Sequence, residues 1–105
     1  MKILNFTLKK KWFDLIKSGK KKKEYREDKP YWNSRLVNEE GVGKEFDIVR
    51  FRNGRRADSP TVDVEFKGIS FTKRKWIEPA EHGEELPRDI IVIRLGRVID
   101  TQGKE

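Results

Sequence analysis

The sequence predicts an α+β domain: a small, partly closed β-barrel of about five to six strands with short helices on its flank. Three observations lead there. Apolar residues alternate with period two at residues 2–8 and 61–67, and FDIVRFR at residues 46–52 reads as a further strand closed by a hairpin signal. The period turns helical in two short stretches between them. The last apolar run, residues 90–95, is nearly continuous, as in a strand buried on both faces. At 105 residues there is material for one core, so residues 1–100 are read as a single domain and 101–105 as a frayed tail.

Each element has a local reason. In KILNFTL, Leu4, Phe6 and Leu8 share one side, which predicts a first strand. Trp12, Phe13, Leu15 and Ile16 then have helical spacing, and Ser18-Gly19 supplies the stop. The charged stretch KKKKEYRED has no helical stripe and suits a polar edge strand. Pro30 opens a second short helix carrying Tyr31, Trp32, Leu36 and Val37. NEEGVGKE is a glycine-containing acidic loop. FDIVRFR is a strand that ends at Asn53-Gly54, a hairpin signal. In the next strand Val62, Val64 and Phe66 face one way until Gly68, where the parity changes and a bulge is expected. Residues 72–87, with Trp76, are read as a loop with one helical turn before the closing strand at residues 89–98.

Composition removes several chemistries. Without cysteine there is no disulfide, zinc-thiolate site or thiol nucleophile, and His82 as the single histidine leaves no His cluster for a metal. No cofactor and no metal are expected, and no apolar run is long enough for a membrane span. A monomeric, cytoplasmic protein is the expectation. The net charge of +7 is regional, because residues 1–35 hold twelve Lys or Arg against four acids. A one-sided excess of cations attracts polyanions, so RNA or a nucleotide-like ligand is the expected partner.

The densest part of that region is GKKKKEYR, residues 19–26. A lysine run beside an edge strand commonly serves as a solvated face that blocks aggregation. In a strand, however, Glu24 and Arg26 share a face, which sets an acceptor beside a rigid fork of donors. Lys21 joins them only if it sits in the turn before regular pairing begins. Tyr25, Tyr31, Trp32 and Trp76 lie within or beside the basic segments, and aromatic faces next to cations suit single-stranded nucleic acid.

Gly19, Lys21, Glu24 and Arg26 reproduce the G-x-K-x-x-E-x-R signature of ASCH domains, a PUA-like family that the chain resembles to about residue 71. LNFTLKKKWFDLIKSG, EDKPYW and TVDVEFKGI fit the bacterial and phage pattern too. The resemblance implies a PUA-like barrel with a cleft for RNA or a nucleotide built from Gly19, Lys21, Glu24 and Arg26, with Tyr31, Trp32 or Arg35 at its rim. Some relatives are metal-independent amidohydrolases that deacylate N4-acetylcytidine. By that likeness Lys21 would be nucleophile or base and Glu65 the acid/base. Glu24, standing where those relatives have a threonine, would orient the substrate. Amide hydrolysis of this kind needs an activated lysine, and Lys20, Lys22, Lys23 and Arg26 are its cationic neighbours in sequence. A ribonuclease is a third expectation, which a missing histidine pair disfavours.

Overall fold

The computed structural model describes residues 1–73, Gly83 and residues 86–102. In chain order the elements are β1 (Ile3–Thr7), α1 (Lys10–Lys17), β2 (Lys23–Glu27), α2 (Pro30–Leu36), β3 (Ile48–Arg52), β4 (Thr61–Lys73) and β5 (Asp89–Gln102). The strands form one sheet in the order β1-β3-β4-β5-β2, curled into a half-barrel, as the α+β barrel reading anticipates. Among the described strands β1 and β3 are the parallel pair, with Phe6 opposite Phe51.

Period-two patterning places the core on the concave face. Leu4, Phe6, Val49, Phe51, Val62, Val64, Ile91, Ile93 and Leu95 interlock there, and Phe13 and Ile16 of α1 and Leu36 of α2 cover them. Burial of each such side chain stabilises the fold by about 1.5–3 kcal/mol. The alternate residues of β5, Ile90 and Val92, pack with Leu86 and Tyr25 in a smaller cluster, so β5 is buried on both faces.

The bulge expected at Gly68 is present: φ is +127° and the β4–β5 register shifts between Phe66 and Gly68. Phe66 and Ile69 consequently both pack on the main core. The strand boundaries differ from the sequence reading in both directions: β3 begins at Ile48 and leaves Phe46 and Asp47 outside it, while two other strands run longer than expected. β4 continues to Lys73 and β5 to Gln102, because Lys73 pairs with Asp89, Thr101 with Val62 and Gln102 with Thr61. Backbone pairing along a long hairpin needs no apolar pattern, which is why the supposed tail begins inside a strand. Trp76 and His82 lie outside the described residues, as does most of the loop expected at 72–87.

Candidate nucleic-acid interface

α1 is capped at its C-terminus by Ser18, and Gly19 follows with φ +80°, the left-handed conformation that closes many helices. The amides of Lys20 and Lys21 both donate to the Leu15 carbonyl, which folds the chain back over the helix end. This turn sends Lys21 inward while Lys20, Lys22 and Lys23 remain exposed. The Lys21 side chain is 3% exposed; its Nζ lies 5.1 Å from the Trp12 ring centroid and 5.0 Å from that of Tyr25. Buried between two aromatic faces, the ammonium reaches Glu24 Oε1 at 3.4 Å.

In β2, Glu24 stands opposite Ile93 and Arg26 opposite Ile91, so both project to the concave face. Glu24 is fully buried. Its Oε1 accepts the Tyr25 amide at 2.9 Å and lies 3.3 Å from Arg26 Nη1, whereas its Oε2 has no hydrogen-bond partner among the described residues. Arg26 is held further by donation from Nη1 to the Tyr25 carbonyl at 2.7 Å. Its guanidinium lies 4.5 Å from the Phe6 ring centroid and 5.0 Å from that of Trp32.

From Arg26 the site opens outward. A cleft of about 660 Å³ is lined by Arg26, Arg35, Lys44 and Arg55 together with Phe6, Tyr31, Trp32 and Phe46. No carboxylate is among the described residues that line it. Tyr31 meets Trp32 edge-on with centroids 5.0 Å apart, and the Arg35 guanidinium lies 4.5 Å from the Tyr31 ring. α2 presents all three, because residues 31, 32 and 35 fall on one side of a helical turn. Lys44 arrives from the loop after α2. Its amide donates to the Leu36 carbonyl and its Nζ to the Ser34 carbonyl.

The structure thus sorts the sequence candidates. Arg26, Tyr31, Trp32 and Arg35 line one cleft, while Lys21 and Glu24 form a buried layer behind Arg26 and Gly19 acts as the helix stop. Glu65 does not join them. It sits between inward-facing Val64 and Phe66, and its partners are on the β4–β5 surface. Its Oε1 accepts the Arg97 amide at 2.8 Å and Arg97 Nε at 3.2 Å, and Lys67 Nζ lies 3.7 Å from Oε2. Those bonds, the Arg97 amide foremost, hold the Glu65 carboxyl below its ordinary value. It is a charged acceptor, poorly suited to deliver a proton to a leaving group.

The pattern reading missed Phe6, Lys44, Phe46 and Arg55 as cleft residues. Phe6 reads as plain core, and Lys44 is hidden in a loop whose acids dominate. Only the fold brings these separate segments together. Comparisons with protein-family models, with curated proteins and with solved structures returned no match.

Proposed function

We propose that this chain is a nucleic-acid-binding domain of the ASCH type, which holds single-stranded RNA or a nucleotide in the cleft between β1, β2 and α2. One observation carries the reading: among the described residues, four cations and four aromatic rings line a concavity and no carboxylate does. Phosphates are neutralised by Arg35, Lys44 and Arg55, bases stack on Tyr31 or Trp32, and Arg26 offers its fixed fork to a base edge or phosphate oxygen. The spacing Gly19, Lys21, Glu24, Arg26 supports the same reading. It produces a helix stop, a buried ammonium, a buried carboxylate and an oriented guanidinium in succession. No hydrolytic step is included, since Lys21 is enclosed by Trp12, Tyr25 and Glu24, and Glu65 pairs with Arg97 and Lys67.

The test is fluorescence anisotropy with a labelled single-stranded RNA at low salt, comparing wild type with Arg35→Ala/Arg55→Ala. Both residues are exposed, so the fold survives their truncation. Losing two phosphate contacts weakens binding by about tenfold or more and shallows the salt dependence by about 1.4 in log–log slope. Equal affinity of the two proteins would refute the cleft as the binding surface.

A further inference from the structure

Lys44 and Phe46 line a second concavity as well as the cleft. It has a volume of about 450 Å³ and lies between residues 42–46 and the bulged middle of β4, where Phe66, Lys67, Gly68 and Ile69 contribute to its wall together with Arg94 of β5. The two concavities therefore adjoin, with Lys44 and Phe46 as the ridge between them. Gly43 seats that ridge, because its Cα lies so close to β4 that an added Cβ would be 2.8 Å from Ile69 Cβ.

The second concavity is also basic. Lys67 and Arg94 line it with Lys44, against Glu45 as the one carboxylate among the described residues of its lining. Arg94 lies over the bulge: an added Cβ at Gly68 would be 2.8 Å from Arg94 Nη2, so the guanidinium would have to shift to admit a side chain at position 68. The shift of register at Gly68 therefore does more than change strand parity. It leaves the gap over which Arg94 lies. Phe46 and Phe66, edge-on with centroids 5.5 Å apart, add aromatic surface on the same wall.

A mononucleotide carries its phosphate charge at one end and occupies one concavity. A strand repeats phosphate and base at every nucleotide, which matches two adjoining basic-aromatic concavities with a shared cation between them. Given the nucleic-acid reading above, on which this rests, we infer that the ligand is a single strand several nucleotides long that crosses the Lys44–Phe46 ridge from the cleft into the concavity at the β4 bulge. The strand is unpaired, because stacking on Tyr31, Trp32 or Phe46 requires bases free of a duplex.

The experiment uses the whole chain, a labelled mixed-sequence RNA octanucleotide, the DNA octanucleotide of the same sequence, and cytidine and uridine monophosphates as competitors. The octanucleotide is expected to bind more tightly than either mononucleotide. Lys67→Ala/Arg94→Ala, two exposed positions, weakens the octanucleotide by about tenfold and shallows its salt slope by about 1.4, while mononucleotide competition against wild type and variant stays the same. The DNA arm assigns the sugar: a preference for RNA supports a strand read partly through its 2′-hydroxyls, and equal binding supports one read through phosphates and bases. Mononucleotides as tight as the octanucleotide, or an octanucleotide indifferent to the double substitution, would overturn this inference and leave the cleft reading standing. If neither ligand binds at low salt, both readings fall together.

Discussion

Replacing Glu24 with alanine tests the least ordinary feature of the site, a carboxylate and an ammonium buried together three residues apart. Glu24 Oε1 receives Lys21 Nζ at 3.4 Å, the Tyr25 amide at 2.9 Å and Arg26 Nη1 at 3.3 Å. The substitution removes the acceptor for all three and strips the Lys21 ammonium, whose side chain is 3% exposed, of its counter-charge. Breaking a buried pair by deleting one partner costs about 3–5 kcal/mol, which for a domain of this size lowers Tm by about 12–20 °C. Differential scanning calorimetry, with urea titration as an independent measure, reads both quantities. The double substitution Lys21→Met/Glu24→Leu recovers most of the loss, because Met fits between the Trp12 and Tyr25 rings and neither charge of the buried pair remains. A Glu24→Ala protein within about 1 kcal/mol of wild type would refute the enclosed pair, since that is the range of an exposed ion pair.

Other consequences are measured more simply. RNA affinity falls with salt with a log–log slope of about −2 if the three cleft cations assigned to phosphates are used, steepening to about −4 if all six cations of the two concavities engage the strand, and a flat dependence would contradict the electrostatic reading. Tyr31 is 58% exposed, so Tyr31→Ala weakens RNA binding by about 1–3 kcal/mol in anisotropy while leaving Tm nearly unchanged. Gly43→Ala forces a Cβ to within 2.8 Å of Ile69 Cβ, a branched side chain packed on the core, and destabilises the fold by about 1–3 kcal/mol in urea titration. Glu65 has a depressed folded value, so its contribution is fully present above its ordinary value of 4.5 and is lost as pH falls through the folded value. The Tm difference between wild type and Glu65→Gln is therefore expected at pH 7 and absent well below that window.

How far the molecule was legible in its sequence follows from the range of the forces involved. Strand and helix periods are local, so Leu4/Phe6/Leu8, Phe13/Ile16 and the run at 90–95 identified their elements and their buried faces directly. Gly68 announced its bulge because a parity change has few other causes. The pairing of Glu24 with Arg26 was legible for the same reason, since a strand places alternate residues on one face. Lys21 was legible only conditionally: nothing local separates it from three neighbouring lysines. The Gly19 turn and the capped Leu15 carbonyl turn it inward. Glu65 was misplaced because its strand position gave parity without saying which cation on β5 would claim it. Arg97 does so through a backbone amide, a donor that no side-chain pattern reveals. Lys44 and Arg55 depend wholly on tertiary proximity.

The burial of Lys21 and Glu24 raises a question that stability alone does not answer. An apolar pair of similar volume would serve the core as well or better, because both charges lose hydration on burial. Glu24 Oε2 adds to the cost, being enclosed without a hydrogen-bond partner among the described residues. What the ionic pair supplies and an apolar pair does not is a fixed acceptor behind Arg26. With Nη1 near Glu24 Oε1 and donating to the Tyr25 carbonyl, the guanidinium stays against Phe6 and Trp32, so little rotamer freedom is left to lose when a ligand arrives. On this reasoning Glu24 is a positioning residue for the proposed cleft, and stability and binding should part company in Lys21→Met/Glu24→Leu. That protein is expected to melt near wild type and yet bind RNA about tenfold more weakly, the loss that about 1.4 kcal/mol of lost pre-organisation produces. Arg26→Ala in the same background should then cost less binding than it does in wild type, because a cation no longer held in place has less to contribute. A double variant that is stable and binds as wild type does would assign the pair to packing alone.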